Sequence, residues 1–176
     1  MRLIGGLIIG LAIMIGGPAA AQTFAPPISG MCLLSRVGAI GASRAGQSMQ
    51  VQLRQLQASL NSELAQRRAS LDVQRRALEG RQAAIAPIEF QRQLAGLNQQ
   101  AQALEQQQNA RFIAAQTRAQ QQVDRALNDA LTRVITRSAC SVVMERDNAY
   151  GWNNAMDITP ATAREMDGVL QAVTIQ

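Results

Sequence analysis

Leu53, Leu56, Leu60 and Leu64 recur at spacings of 3, 4 and 4, and Leu64, Leu71, Leu78 and Ile85 then recur every seven residues. That period gathers the leucines into one helical stripe facing a partner helix. The positions between them are mostly Gln, Ala, Arg and Glu, which lose little rotamer freedom in a helix. Pro87 interrupts the pattern, because proline removes a donor and clashes with the preceding turn. The stripe restarts at Leu94, Leu97, Ala101 and Leu104. It continues through Phe112, Ala115, Ala119, Val123, Ala126, Ala130 and Val134. Residues 47–137 therefore predict a coiled-coil-like antiparallel hairpin, an arm with its tip near 86–88. At 1.5 Å per residue its two helices reach about 58 Å and about 75 Å. Alanine dominates the return stripe, and Arg67, Gln74 and Arg81 place polar groups in the seam. Such a seam buries little apolar area, so the arm is expected to bend or splay.

The flanks have a different pattern. Met31 to Leu34 is a short apolar run bounded by Gly30 and Ser35, and Cys140 to Met144 is another; both read as strands. Asp147-Asn148 marks a turn, after which Ala149 to Trp152 reads as a third strand returning beside the second. Thr159 and Pro160 read as the N-cap and first position of a C-terminal helix, with Ala163, Met166, Val169, Leu170 and Val173 on its apolar face. Residues 36–46 read as a glycine-punctuated link, either irregular or with one helical turn, leading into the arm. The expected fold class is α+β, mostly α: a long helical arm projecting from a small β-rich head made of residues 30–46 and 138–176. Three short strands and one helix make little core, so the head is expected to oligomerise and thereby cover its strand edges.

Met1 to Ala21 has the form of an export signal. Arg2 precedes an apolar run, Gly16-Gly17-Pro18 breaks it, and Ala19-Ala20-Ala21 supplies small residues for cleavage after Ala21. The run is shorter than the ~20 residues of a membrane span. Residues 22–29 form a leader without a regular pattern, and the expected compartment lies outside the cytoplasm.

Charge adds a functional dimension. All 17 basic residues are arginine. From Arg44 to Arg137 there are 13 arginines against 7 acids, a net of +6, whereas Ser138 to Gln176 has 2 against 5, a net of −3. On the return helix Arg111, Arg118 and Arg125 recur every seven residues; on the outbound helix Arg54, Arg68 and Arg75 share a face. These six are the candidate binding residues, and the alternative is a solvated face that keeps an Ala/Gln helix soluble. Arginine favours carboxylate and phosphate, which leaves lipopolysaccharide or anionic lipid headgroups open as further partners. At the tip, Ile85, Pro87, Ile88 and Phe90 either touch a binding partner or membrane or close the hairpin. The chain has no histidine, no metal-ligand cluster and no phosphate-cradling glycine loop, so no enzymatic activity, metal or cofactor is expected. Nucleic acid is disfavoured by the export signal and by an aromatic content of 3%, since base stacking needs aromatic platforms. Cys32 and Cys140 fall at the two ends of the arm. They are either a disulfide, which an exported compartment permits, or two buried thiols.

The order of segments is specific. An export signal and short strand lead to the Ala45-Gly46-Gln47 helix start and a Gln/Arg-rich hairpin. Then come Val142-Val143-Met144-Glu145-Arg146-Asp147-Asn148-Ala149 and Asp157-Ile158-Thr159. This resembles the Skp/OmpH family of periplasmic chaperones over essentially the whole exported part. The resemblance implies a homotrimer whose heads share a β-rich body. It also implies arms that enclose unfolded outer-membrane proteins without ATP and keep them soluble for assembly. The departures are the absence of lysine, a longer glycine-rich link, and a first strand, Met31 to Leu34, without the acidic or amide residue that often follows it in the family. The alternative function is a periplasmic coiled-coil adaptor bridging envelope components, although such proteins flank the hairpin with larger β domains.

Overall fold

The leucine stripe forms α2 (Arg44–Glu79) and its partner α3 (Pro87–Arg137), packed antiparallel. The structure, a computed structural model, describes residues 25–175. The expected export signal and its cleavage site lie outside the described residues. Leu60 and Leu78 of α2 are buried against the seam, as are Phe90, Gln108, Ala115 and Ala119 of α3. The reversal comes earlier than the leucine period suggests. Helix α2 stops at Glu79, Gly80 follows as its C-cap, and a 3₁₀ turn at Gln82–Ala84 leads to Ala86 and Pro87. Gly80 is a poor helix former, and the chain must turn before proline can start the return helix. Ile85 is thus in the turn rather than in α2.

The link over 36–46 is more helical than the single turn its glycines suggest. α1 (Arg36–Ala42) is capped by Ser35, whose Oγ accepts from the Gly38 N–H at 2.9 Å. Ser43 ends α1 and caps α2, its Oγ accepting from the Gly46 N–H at 3.1 Å. Two serine caps and the full burial of Ala39 and Ala45 outweigh the low propensity of three nearby glycines.

β1 (Met31–Leu34) pairs with β2 (Val142–Glu145) in parallel, with Met31 opposite Val142 and Leu34 opposite Glu145. A parallel pair needs a crossover, and here the crossover is the whole helical excursion from α1 to α3. No strand forms at 149–152. The Glu145 side chain accepts from the Asp147 N–H and closes a 3₁₀ turn at Arg146–Asn148, which directs the chain away from β2. The free side of β1 is taken by Asp157, bridged to Leu33, with the Ile158 N–H donating to the Leu33 carbonyl at 2.9 Å. α4 (Thr159–Val169) follows. Its first turn is capped by Asp157, whose Oδ1 accepts from the Thr159 N–H at 2.9 Å, and not by Thr159. The Thr159 hydroxyl is engaged elsewhere, accepting from the Ser35 N–H at 2.8 Å.

The core gathers at the root of the hairpin. Ala119, Val123, Ala126, Leu127, Ala130 and Val134 of α3 pack with Cys32 and Leu34 of β1, Ala39 of α1, Ala45 of α2 and Met166 of α4. The last turns of α3 are therefore the floor of the head as well as the base of the arm. Of the two states open to the cysteines, the structure has the disulfide: Cys32 and Cys140 of one chain are bonded, with their Cα atoms 5.7 Å apart.

Candidate functional site

The arm arginines divide by partner. Arg68 bridges to Glu105 across the hairpin, and an Arg111 Nη donates to Glu63 at 2.8 Å and to Gln108 at 3.3 Å. Arg111, followed by Gln108, holds the Glu63 carboxyl below the usual carboxylate range. Arg75 lies beside Asp72 and Glu79 of its own helix, at 3.4 and 3.8 Å. Arg125 donates to the Gln121 carbonyl at 3.3 Å. Arg54, Arg118 and Arg125 pair with no acid among the described residues. A seven-residue spacing fixes which face an arginine shares but says nothing of what stands opposite. Glu63 and Glu105 become visible as partners only once the hairpin register is known.

Beside Arg111 and Arg118 lies an open groove between α2 and α3, of about 680 Å³, whose walls include Gln52, Gln55, Leu56 and Ala115. Ile175 stands at its head end. A second groove of about 420 Å³ nearer the tip runs between Leu78 and Leu97, flanked by Gln74, Gln93 and Arg81. At the tip Phe90 is buried, Ile85 is half-buried, and Ile88 is 73% exposed. Phe90 closes the hairpin, so only Ile88 offers a large apolar side chain to solvent there. The arm thus presents shallow apolar grooves rimmed by amides and guanidinium groups. A surface of this kind can offer many weak contacts, and net positive charge speeds association with acidic partners.

The head carries a closed polar ring. The Ser35 hydroxyl donates to Asp147 Oδ2 at 2.6 Å, and the Arg146 guanidinium spans Asp147 at 3.2 Å and Asp157 at 2.9 Å. Asp157 caps Thr159, and Thr159 accepts from Ser35. The guanidinium also lies 5.3 Å from the centre of the Trp152 ring, within cation–π range. These are the residues of the Arg-Asp-Asn and Asp-Ile-Thr stretches, and their role is to tie α4 to the β1–α1 junction. The Ser35 hydroxyl, followed by Arg146, keeps the Asp147 carboxyl below its ordinary value. Burial pushes Asp157 up, but the Thr159 and Arg146 hydrogen bonds outweigh it and leave this carboxyl lowered as well. Glu165 is lowered by Arg137, then Arg133, which join α4 to α3.

A carboxylate with a lowered folded pKa stabilises the fold above its unfolded pKa, and that contribution is lost as pH falls through the folded value. Stability is therefore expected to decline once pH drops below about 5, where unfolded carboxyls begin to take up protons. Asp157→Asn is expected to lower stability at neutral pH and to flatten this acid limb. Urea midpoints measured across the acid range check it; parallel curves for the two proteins would remove Asp157 from the effect.

Among the described residues no group of three metal-binding side chains comes together, and no helix is long and apolar enough to cross a membrane.

A two-helix arm standing on a small α/β head, with the crossover between parallel strands made by the arm itself, defines a narrow class. A sequence model of the family described as outer membrane protein (OmpH-like) matches residues 36–166. The chain belongs to this OmpH-like family. Its fold is similar to the crystal structure of an OmpH-like protein of Caulobacter crescentus CB15, provisionally described as an outer membrane chaperone. The TM-score is 0.75 at 28% identity, covering 89% of this chain and 95% of that one. A comparison with curated proteins returns no match.

Proposed function

We propose that this protein is an ATP-independent holdase of the periplasm. It binds unfolded outer-membrane proteins between its helical arms and keeps them soluble for assembly. The chaperone description of its Caulobacter relative supports the class of activity. The observation that carries the reading is the arm itself: a hairpin with open, amide- and arginine-rimmed grooves and a net charge of +6 from 13 arginines and 7 acids. Dilution of a urea-unfolded outer-membrane β-barrel protein into the purified chain tests it. Suppressed aggregation and a co-eluting complex are expected; unchanged light scattering would overturn the reading.

The working unit is a homotrimer joined through the heads. Val37, Val142, Met144 and Tyr150 are all exposed on a single chain. β2 has β1 on one side and an open edge on the other. Such an edge and such side chains are covered when copies associate. A stable folded monomer at micromolar concentration would reject this assembly.

Capture should depend on the arginines that no acid engages. Arg118→Gln with Arg125→Gln lowers the arm's net charge from +6, the balance of its 13 arginines and 7 acids, to +4. Slower client capture at low salt and a weaker salt dependence are expected. Arg111→Gln removes an exposed ion pair worth at most about 1 kcal/mol and should loosen the hairpin more than it slows capture. Stopped-flow capture rates compared at two ionic strengths separate the roles; identical rates for all variants would leave the arginines as solubility residues.

A further inference from the structure

The segment after α4 lies across the root of the hairpin. Val173 is buried, Thr174 exposed and Ile175 half-buried, the alternation of an extended chain. Side-chain amides hold its main chain. Gln52 Nε2 donates to the Val173 carbonyl at 2.7 Å. Gln122 Nε2 donates to the Thr174 carbonyl at 2.7 Å, and Gln122 Oε1 accepts from the Thr174 N–H at 3.0 Å. A primary amide here supplies one donor and one acceptor to a single residue, as a neighbouring strand does. None of these bonds reads a side chain. Ile175 then enters the head end of the groove between α2 and α3, whose open part continues tipward past Leu56, Ser59 and Ala114. Gln55, one turn beyond Gln52, stands on the groove wall with an exposed amide.

We propose that this groove binds an extended stretch of unfolded polypeptide by its main chain, through glutamine side chains, and that residues 173–175 are the built-in occupant of its head end. The inference rests on the holdase reading and specifies what the arm grips. Unfolded clients of different sequence share a main chain, and amides that recognise only N–H and C=O serve all of them. Gln52 and Gln55 line the groove; Gln52 is engaged by the tail, and Gln55 is the amide left for a client. Leu56 and Ala115 give alternate client side chains an apolar floor, and the free guanidinium of Arg118 attracts acidic ones.

The test uses the full chain and a fluorescent Val-Thr-Val-Thr-Val-Thr peptide, compared with the same peptide N-methylated at alternate amides. Aggregation suppression of an unfolded β-barrel protein is measured in parallel. The unmodified peptide is expected to bind about tenfold tighter, the loss of roughly one to two main-chain bonds. Ala114→Trp, at an exposed groove position, should abolish peptide binding without loss of helicity, and Gln55→Leu should weaken it. Truncation after Val173 should free Gln122 at the head end and raise affinity. Equal affinity for the two peptides, or full binding by Ala114→Trp, overturns the inference. If aggregation is still suppressed in that case, the holdase reading stands alone; if it is not, both fall.

Discussion

Gly46→Ala is expected to destabilise the protein by at least about 2 kcal/mol, although alanine is the better helix former. Gly46 lies in the first turn of α2, where α1 arrives at the same corner. A Cβ there would sit 1.9 Å from the Ile40 carbonyl oxygen and 2.7 Å from its carbon. Those are main-chain atoms at the end of α1. The same carbonyl oxygen accepts from the Ser43 hydroxyl at 2.8 Å, so relieving the clash also disturbs the cap that starts α2. The gain in helix propensity, about 1 kcal/mol, is too small to offset a forced shift of two helices. Gly96→Ala in α3 supplies the contrast, because a Cβ there meets nothing within 4 Å. It should stabilise by about 0.5–1 kcal/mol. Chemical denaturation of both variants gives the signs; a stabilised Gly46→Ala protein would show that α1 and α2 do not meet as described.

Loss of the disulfide should cost more. Cys32 and Cys140 are 108 residues apart in sequence, and the closed loop contains α1 and the entire arm. Chain-entropy reasoning puts such a closure near ~4–5 kcal/mol, all through the unfolded state. The double variant Cys32→Ala/Cys140→Ala should therefore melt roughly 10–15 °C below the oxidised wild type. Reduced wild type should melt close to the variant. The bond joins β1 to the segment just beyond α3, so it secures the head without restraining the tip. A protease cut at the tip should accordingly leave the two halves linked until reductant is added. Melting curves of oxidised, reduced and variant protein decide the matter, and coincident curves would mean that the bond contributes nothing.

The hairpin was written in the chain. A seven-residue leucine period needs only its own helix to be expressed, and Pro87 can begin a helix but not continue one. The strand at 31–34 was legible for a similar reason, as a brief apolar run between turn residues, and so was the second, read at 140–144 and formed at 142–145. Tertiary contacts decided the rest. Arg36–Ala42 has glycines that argue against a helix, and it forms one because Ser35 caps it and Ala39 is fully buried. Trp152 has strand propensity, yet it packs beneath Arg146, while Asp157 takes the position beside β1 that a further strand would need. Arg68 and Arg111 look like free surface charges until the register brings Glu105 and Glu63 opposite them. The tail at 173–175 has no period at all, and only the fold brings it to Gln52 and Gln122. Periodicity encodes which face of an element is apolar, because that depends on neighbours in sequence. Strand direction, ion-pair partners and the seat of an irregular segment depend on groups far along the chain, and these meet only when the core closes.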